Sequence, residues 1–165
     1  MSDNDRAYTA VVAFFAAVLY LALIIAVFGL ISLFANTDVI TDSRIGPLVG
    51  PVMVGAAVVT LFFVLAATAF REPADHHRIA PFVAVATGLA CYLVYLVAGA
   101  VAGAVGSPRE ALRYVLFALE QVGSVFSLSV GVLALVVTLL FQLVLAGRFR
   151  ERGRPQWPWE KESDD

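Results

Sequence analysis

Residues 10–35 read AVVAFFAAVLYLALIIAVFGLISLFA, 26 residues without a charged side chain. Wound as an α-helix this run is about 39 Å long, more than the roughly 30 Å hydrocarbon layer of a bilayer, so it crosses with room to tilt. A cleaved signal peptide is the competing reading. Against it, Asp3 and Asp5 outnumber Arg6 in the leading segment, and Leu33 occupies the −3 place before Asn36. The apolar stretch is also about twice the usual length of a signal core. The run reads as a retained membrane span.

Three more runs of the same kind follow, over residues 48–70, 82–105 and 122–146. Pro47 and Pro51 suit the first turn of the second, Pro81 precedes the third, and Gly147 stands where a helix C-terminus would close the fourth. The alternating pattern of a barrel strand is absent, so helices are the expected spanning form. Composition agrees. Hydrophobic residues make up 61% of the 165-residue chain and charged residues 15%, against about 45–50% and about 25% in globular domains. Disorder needs the opposite balance, and a chain this short cannot bury so much apolar surface from water. The fold class expected is all-α: a four-helix transmembrane bundle over residues 10–147, flanked by a short segment 1–9 and a tail 148–165.

Orientation follows from Lys and Arg rather than from net charge. With both termini on one side, that side holds Arg6, Arg71, Arg78, Arg148, Arg150, Arg152, Arg154 and Lys161; the other holds Arg44, Arg109 and Arg113. The bias puts both the N and the C terminus in the cytoplasm. Ten of the eleven basic residues are Arg, a composition suggestive of a GC-rich bacterial genome. Of the two opposite loops, 36–46 reads as a short turn and 107–120 is richer. Ser107 and Glu110 have capping-box spacing with Pro108 at the first helical position. Leu112, Val115, Leu116 and Leu119 then share one face, with Arg109, Arg113 and Glu120 on another. Continued into the fourth run, this helix would be about 60 Å long. A break near Gly123 is expected instead, leaving a short amphipathic helix along the outer interface before the fourth span.

Residues fit for chemistry are few. A net charge of −2 supplies no basic field for nucleic acid, and no nucleic-acid-binding motif is present. The lone Cys91 allows neither an intramolecular disulfide nor a cysteine metal cage. The first three spans hold no Asp, Glu, Lys, Arg or His, whereas ion-coupled transport and haem ligation place such groups within the spans. Glu120 is the one carboxylate near the hydrocarbon; it is a proton or cation site by default, or a mouth residue paired with Arg113. His76 and His77, with Glu72 and Asp75, form either a metal-binding loop or a solvated turn. No nucleophile elbow, phosphate loop or zinc-protease helix occurs. No catalytic, cofactor-binding or metal-ligating residue is assigned, and the expectation is a non-enzyme without cofactor.

Packing signals are plentiful. Gly99 and Gly103 make a G-x-x-x-G step extended by Ala98, Ala102 and Gly106; Gly123, Ser127 and Gly131 repeat at four-residue spacing, continued by Thr138 and Gln142. Such faces pack helices within one bundle, or dock a second copy or a partner. The tail carries Arg148, Arg150, Arg152 and Arg154, then Trp157 and Trp159 in a stretch kept extended by Pro155 and Pro158, and ends with net charge −3 over residues 160–165. It reads either as an anchor on anionic head groups or as a docking strip with two Trp anchors.

The run Gly147 to Glu160, GRFRERGRPQWPWE, resembles the ending of an uncharacterised family of small four-span actinobacterial membrane proteins. Thr37-Asp38-Val39-Ile40 and Gly46-Pro47-Leu48-Val49-Gly50-Pro51 are similar as well; Gln156 stands where that family's pattern has Arg. The resemblance implies a cell-membrane location and supplies no activity, cofactor or catalytic residue. The function expected is an accessory or structural component of a membrane complex, with the lipid bilayer and a membrane-protein partner or a second copy as its contacts; the alternative is a small homo-oligomeric channel or transporter lined by the Ser/Thr/Gln face of the fourth span. A reporter enzyme that works only outside the cell is expected to be silent when fused after Asp165. Activity of that fusion would overturn the topology.

Overall fold

The computed structural model describes residues 3–35, 48–71, 80–106 and 111–152, and among these the backbone is helical almost throughout, with no strand. The helices are α1 (Asp3–Ala35), α2 (Val49–Arg71), α3 (Pro81–Gly106), α4 (Ala111–Gln121) and α5 (Val125–Arg152). Four contain stretches long and apolar enough to cross a membrane: Ala7–Phe34, Val49–Thr68, Pro81–Val105 and Val125–Gly147.

Local chemistry explains the ends. Leu48 accepts the first intrahelical bond of α2, from Val52 N–H at 3.1 Å, and Pro51 falls in the first turn, where its missing donor is harmless. Pro81 opens α3 for the same reason. Two boundaries differ from expectation. The fourth span starts at Val125 rather than residue 122, because Val122 and Gly123 form a turn. Gly147 does not end it: α5 runs on to Arg152. A glycine inside a helix costs only about 1 kcal/mol, and the arginines after it suit the negative end of the helix dipole. The capping box at Ser107–Glu110 lies outside the described residues.

Cross-helix contacts give the topology. Met53 of α2 lies beneath Gly99 of α3, and the Ala57 carbonyl faces Cys91, so the two helices are antiparallel. Gln142 of α5 meets Ala80 at the start of α3, and Gly131 meets Gly88, so α5 is antiparallel to α3. Tyr20 meets Val130 and Phe28 meets Phe126, so α1 is antiparallel to α5. The bundle is therefore up-down-up-down, with the start of α1 and the finish of α5 at one end. Around it the order is α1, α2, α3, α5, with α4 laid on α3.

The core follows the helical period. Ala13, Ala17, Tyr20 and Ile24 point inward from α1; Val49, Met53, Ala57, Leu61 and Leu65 from α2; Ala84, Cys91 and Tyr95 from α3; Val130, Ala134, Val137, Phe141 and Leu145 from α5. Only 28–39% of each apolar window is covered by the bundle. The rest is Phe15, Phe63, Leu89, Val97, Leu143 and similar side chains facing outward, the arrangement a lipid solvent favours and water does not.

α3 and α5 approach backbone to backbone. A Cβ on Gly88 would stand 2.7 Å from the Gly131 carbonyl oxygen and 3.2 Å from Leu135 Cβ. Gly88→Ala is therefore expected to lower stability in detergent micelles by about 1–3 kcal/mol, the usual cost of overpacking. Gly29→Ala and Gly55→Ala, whose new methyl groups meet nothing, should leave the unfolding midpoint unchanged or slightly raised.

Candidate functional site

In an apolar solvent each buried polar group has to find a partner inside the protein. The polar side chains of the spans therefore mark where the bundle departs from plain helix packing. They concentrate at the interruption between α4 and α5 and in the core just beneath it.

At the interruption, Val122 N–H donates to the Leu119 carbonyl at 3.2 Å and Ser124 N–H to the Gln121 carbonyl at 3.1 Å. Ser124 caps the new helix, its Oγ accepting from Phe126 N–H at 3.3 Å. Ser127 Oγ is in hydrogen-bond contact with the Gln121 carbonyl and lies 2.9 Å from that of Ser124. From α3, Tyr92 Oη donates to the Val122 carbonyl at 2.7 Å. Three hydroxyl side chains thus serve a three-residue break.

Beneath it, Phe28 stands edge-on to Phe126, ring centres 5.2 Å apart, and to Tyr95 at 6.3 Å. Tyr20, fully buried, donates to the Val130 carbonyl at 3.0 Å. Cys91 Sγ lies 3.7 Å from the Ala57 carbonyl. Tyr95, one turn after Cys91, has a fully buried hydroxyl with no hydrogen-bond partner among the described residues. At the terminal end of the bundle Gln142 clasps the residue before α3: Ala80 N–H donates to its Oε1 at 3.0 Å, and its Nε2 lies 3.4 Å from the Ala80 carbonyl.

These groups are hydroxyls, a thiol, an amide and backbone carbonyls. Their chemistry is hydrogen bonding that joins helices, and no acid–base or nucleophile–base pair is formed among them. Among the described residues no group of three His, Cys, Asp or Glu side chains comes together.

The residues singled out from sequence fare differently. Gly99 is filled by Met53 of α2, Gly103 lies under the Tyr114 ring of α4, and Gly131 faces Gly88 and Tyr92 of α3. Ser127 and Thr138 are buried and Gln142 is half-buried, all engaged within the chain. Glu120 is exposed on α4 and is not drawn into the bundle. The side chain of Arg113 is not among those described, and His76, His77, Trp157 and Trp159 lie outside the described residues. Sequence reasoning passed over Tyr20, Tyr92 and Tyr95. The signal was there: a tyrosine inside an apolar run brings a hydroxyl that needs a partner.

The whole chain, residues 1–165, matches the Family of unknown function (DUF6121). The protein belongs to DUF6121. No curated protein and no solved structure matches it. Membership agrees with the resemblance to an uncharacterised family of small membrane proteins.

The three tyrosines should separate by their partners. Tyr20→Phe is expected to destabilise the protein in micelles by about 1 kcal/mol, through a lost hydrogen bond to Val130. Tyr95→Phe removes a hydroxyl that has no partner among the described residues and should be neutral or stabilising. Chemical-denaturation midpoints of the two variants beside wild type check both outcomes.

Proposed function

We propose that this DUF6121 protein is a non-enzymatic component of a membrane complex, an accessory or structural subunit held in a bacterial cell membrane with both termini in the cytoplasm. The observation that carries the reading is the use of its polar side chains. Tyr20, Tyr92, Ser127, Thr138 and Gln142 all bond backbone groups, and all but Thr138 tie separate segments of the bundle together. They build a stable scaffold and leave recognition to surfaces and tails. The Lys/Arg tally supports the orientation, the arginine bias supports a GC-rich bacterial source, and the resemblance in the tail supports an actinobacterial one.

The competing function is a homo-oligomeric channel lined by the Ser/Thr/Gln face of the fourth span. Ser127, Thr138 and Gln142 are occupied inside the chain, with Gln142 holding Ala80, so a pore between copies would need another lining. That weighs toward the accessory role.

The tail is the docking element in this proposal, through Trp157 and Trp159. Cross-linking in native membranes followed by mild-detergent purification should yield a stoichiometric complex with one other membrane protein. Replacing both Trp with Ala should weaken that complex at least about tenfold, as loss of hot-spot anchors does. Recovery of an isolated monomer would overturn the proposal, and flux through vesicles holding the pure protein would favour the channel.

A further inference from the structure

We infer that α4 is embedded in the membrane leaflet distal to the chain termini, its Leu112–Leu119 face covered by lipid acyl chains, so that α4 and α5 form one interrupted span. The inference is independent of the complex proposed above.

Depth can be read along α3. The charged stretch Arg71–Arg78 immediately precedes Ala80, and charges avoid the hydrocarbon, so Ala80 marks its terminal edge. From Ala80 to Gly103 the chain rises about 35 Å, enough to cross the roughly 30 Å layer. The Tyr114 ring lies on Gly103, at the depth where interfacial tyrosines belong. Starting from Gln142 beside Ala80, α5 climbs about 26 Å to reach Val125. It stops about 9 Å short of the Gly103 level. From the other side, α4 covers about 10 Å between Tyr114 and Gln121. The two routes agree: α4 doubles back along α3 and fills the layer that α5 does not reach. Exposed Glu120 then stands only about 5 Å inside the edge of that layer, and a helical side chain leans toward the helix N-terminus, here back to the head groups. On this inference the short amphipathic helix expected before the fourth span descends into the leaflet instead of lying flat on its interface.

Two observations on the chain itself point to lipid. The first is the outward face of α4. Leu112, Val115, Leu116 and Leu119 are 48–75% exposed, while Tyr114 and Phe117 turn to the bundle. Val122 in the break, Val125 and Leu128 after it, and Val101 and Val105 of α3 are exposed as well. This is the same apolar surface that the other spans present. The second is the care with which the break is capped. A turn in water leaves its carbonyls to solvent, whereas a turn in hydrocarbon needs protein partners. Tyr92 and Ser127 supply them to Val122 and Gln121, and Ser124 caps the helix that follows.

The test is collision accessibility of nitroxide labels on Leu116→Cys and Leu119→Cys, in the full chain carrying Cys91→Ala and reconstituted in phosphatidylethanolamine/phosphatidylglycerol vesicles. Val97→Cys, exposed on α3 at about the same depth as Leu119, is the lipid reference. If Cys91→Ala lowers folding yield, the wild-type background serves, since Cys91 is fully buried and its native thiol is shielded from label. The expected result is oxygen collision favoured over a water-soluble nickel chelate, with the ratio found for Val97→Cys. Preference for the nickel chelate would place α4 in water and overturn the inference. Exclusion of both reagents would mean a second copy covers the face, and would overturn it equally.

Discussion

The bundle depends on the approach of α3 and α5 at Gly88 and Gly131. Each glycine lacks the Cβ that would strike the other helix: Gly88 sits against the Gly131 carbonyl, and Gly131 against the Gly88 backbone and Tyr92 Cβ. In lipid, helices gain little from hiding apolar surface from one another, so association rests on close van der Waals contact and interhelical hydrogen bonds. The glycine contact supplies the first and permits the second. It brings Gln142 to Ala80 on one side of the crossing and Tyr92 to Val122 on the other. α3 then holds α2 through Met53 on Gly99 and α4 through Tyr114 on Gly103, while α1 closes the ring through Tyr20 and Phe28.

The polar side chains of this interior are architectural. Threonines 60, 68, 87 and 138 return to carbonyls of their own helices, which satisfies the hydroxyl without joining neighbours. Tyr20, Tyr92 and Gln142 reach across to another helix, and Ser127 reaches back over the break. The exception is Tyr95, whose buried hydroxyl carries no hydrogen bond among the described residues. It stands beside the Phe28–Phe126 pair, where a ring is well packed and an oxygen is not served.

Much of this was legible in the chain. Four uncharged runs separated by charged breaks define four spans because charges are expelled from hydrocarbon, whatever the helices pack against. The break near Gly123 was legible from length, since an unbroken helix would overrun the membrane. The site was less so. Gly99, Gly103 and Gly131 announce close packing, but a small residue does not name its partner: Gly99 meets Met53 and Gly103 meets Tyr114, from two different helices. Gln142 reads as a pore-lining amide in a linear sequence and becomes a clasp on Ala80 only when α5 runs antiparallel to α3.

The sequence by itself determined an all-α fold with four helices long and apolar enough to cross a membrane, and which residues are too charged to enter hydrocarbon. These are local properties, set by the transfer of each segment between water and lipid. Tertiary structure alone decided the ring order of the helices, the inward use of the Ser/Thr/Gln face and the doubling back of α4 along α3. Those depend on which surfaces interlock at van der Waals distance, and residues far apart in the chain, such as Tyr20 and Val130 or Gln142 and Ala80, supply the two halves of each contact.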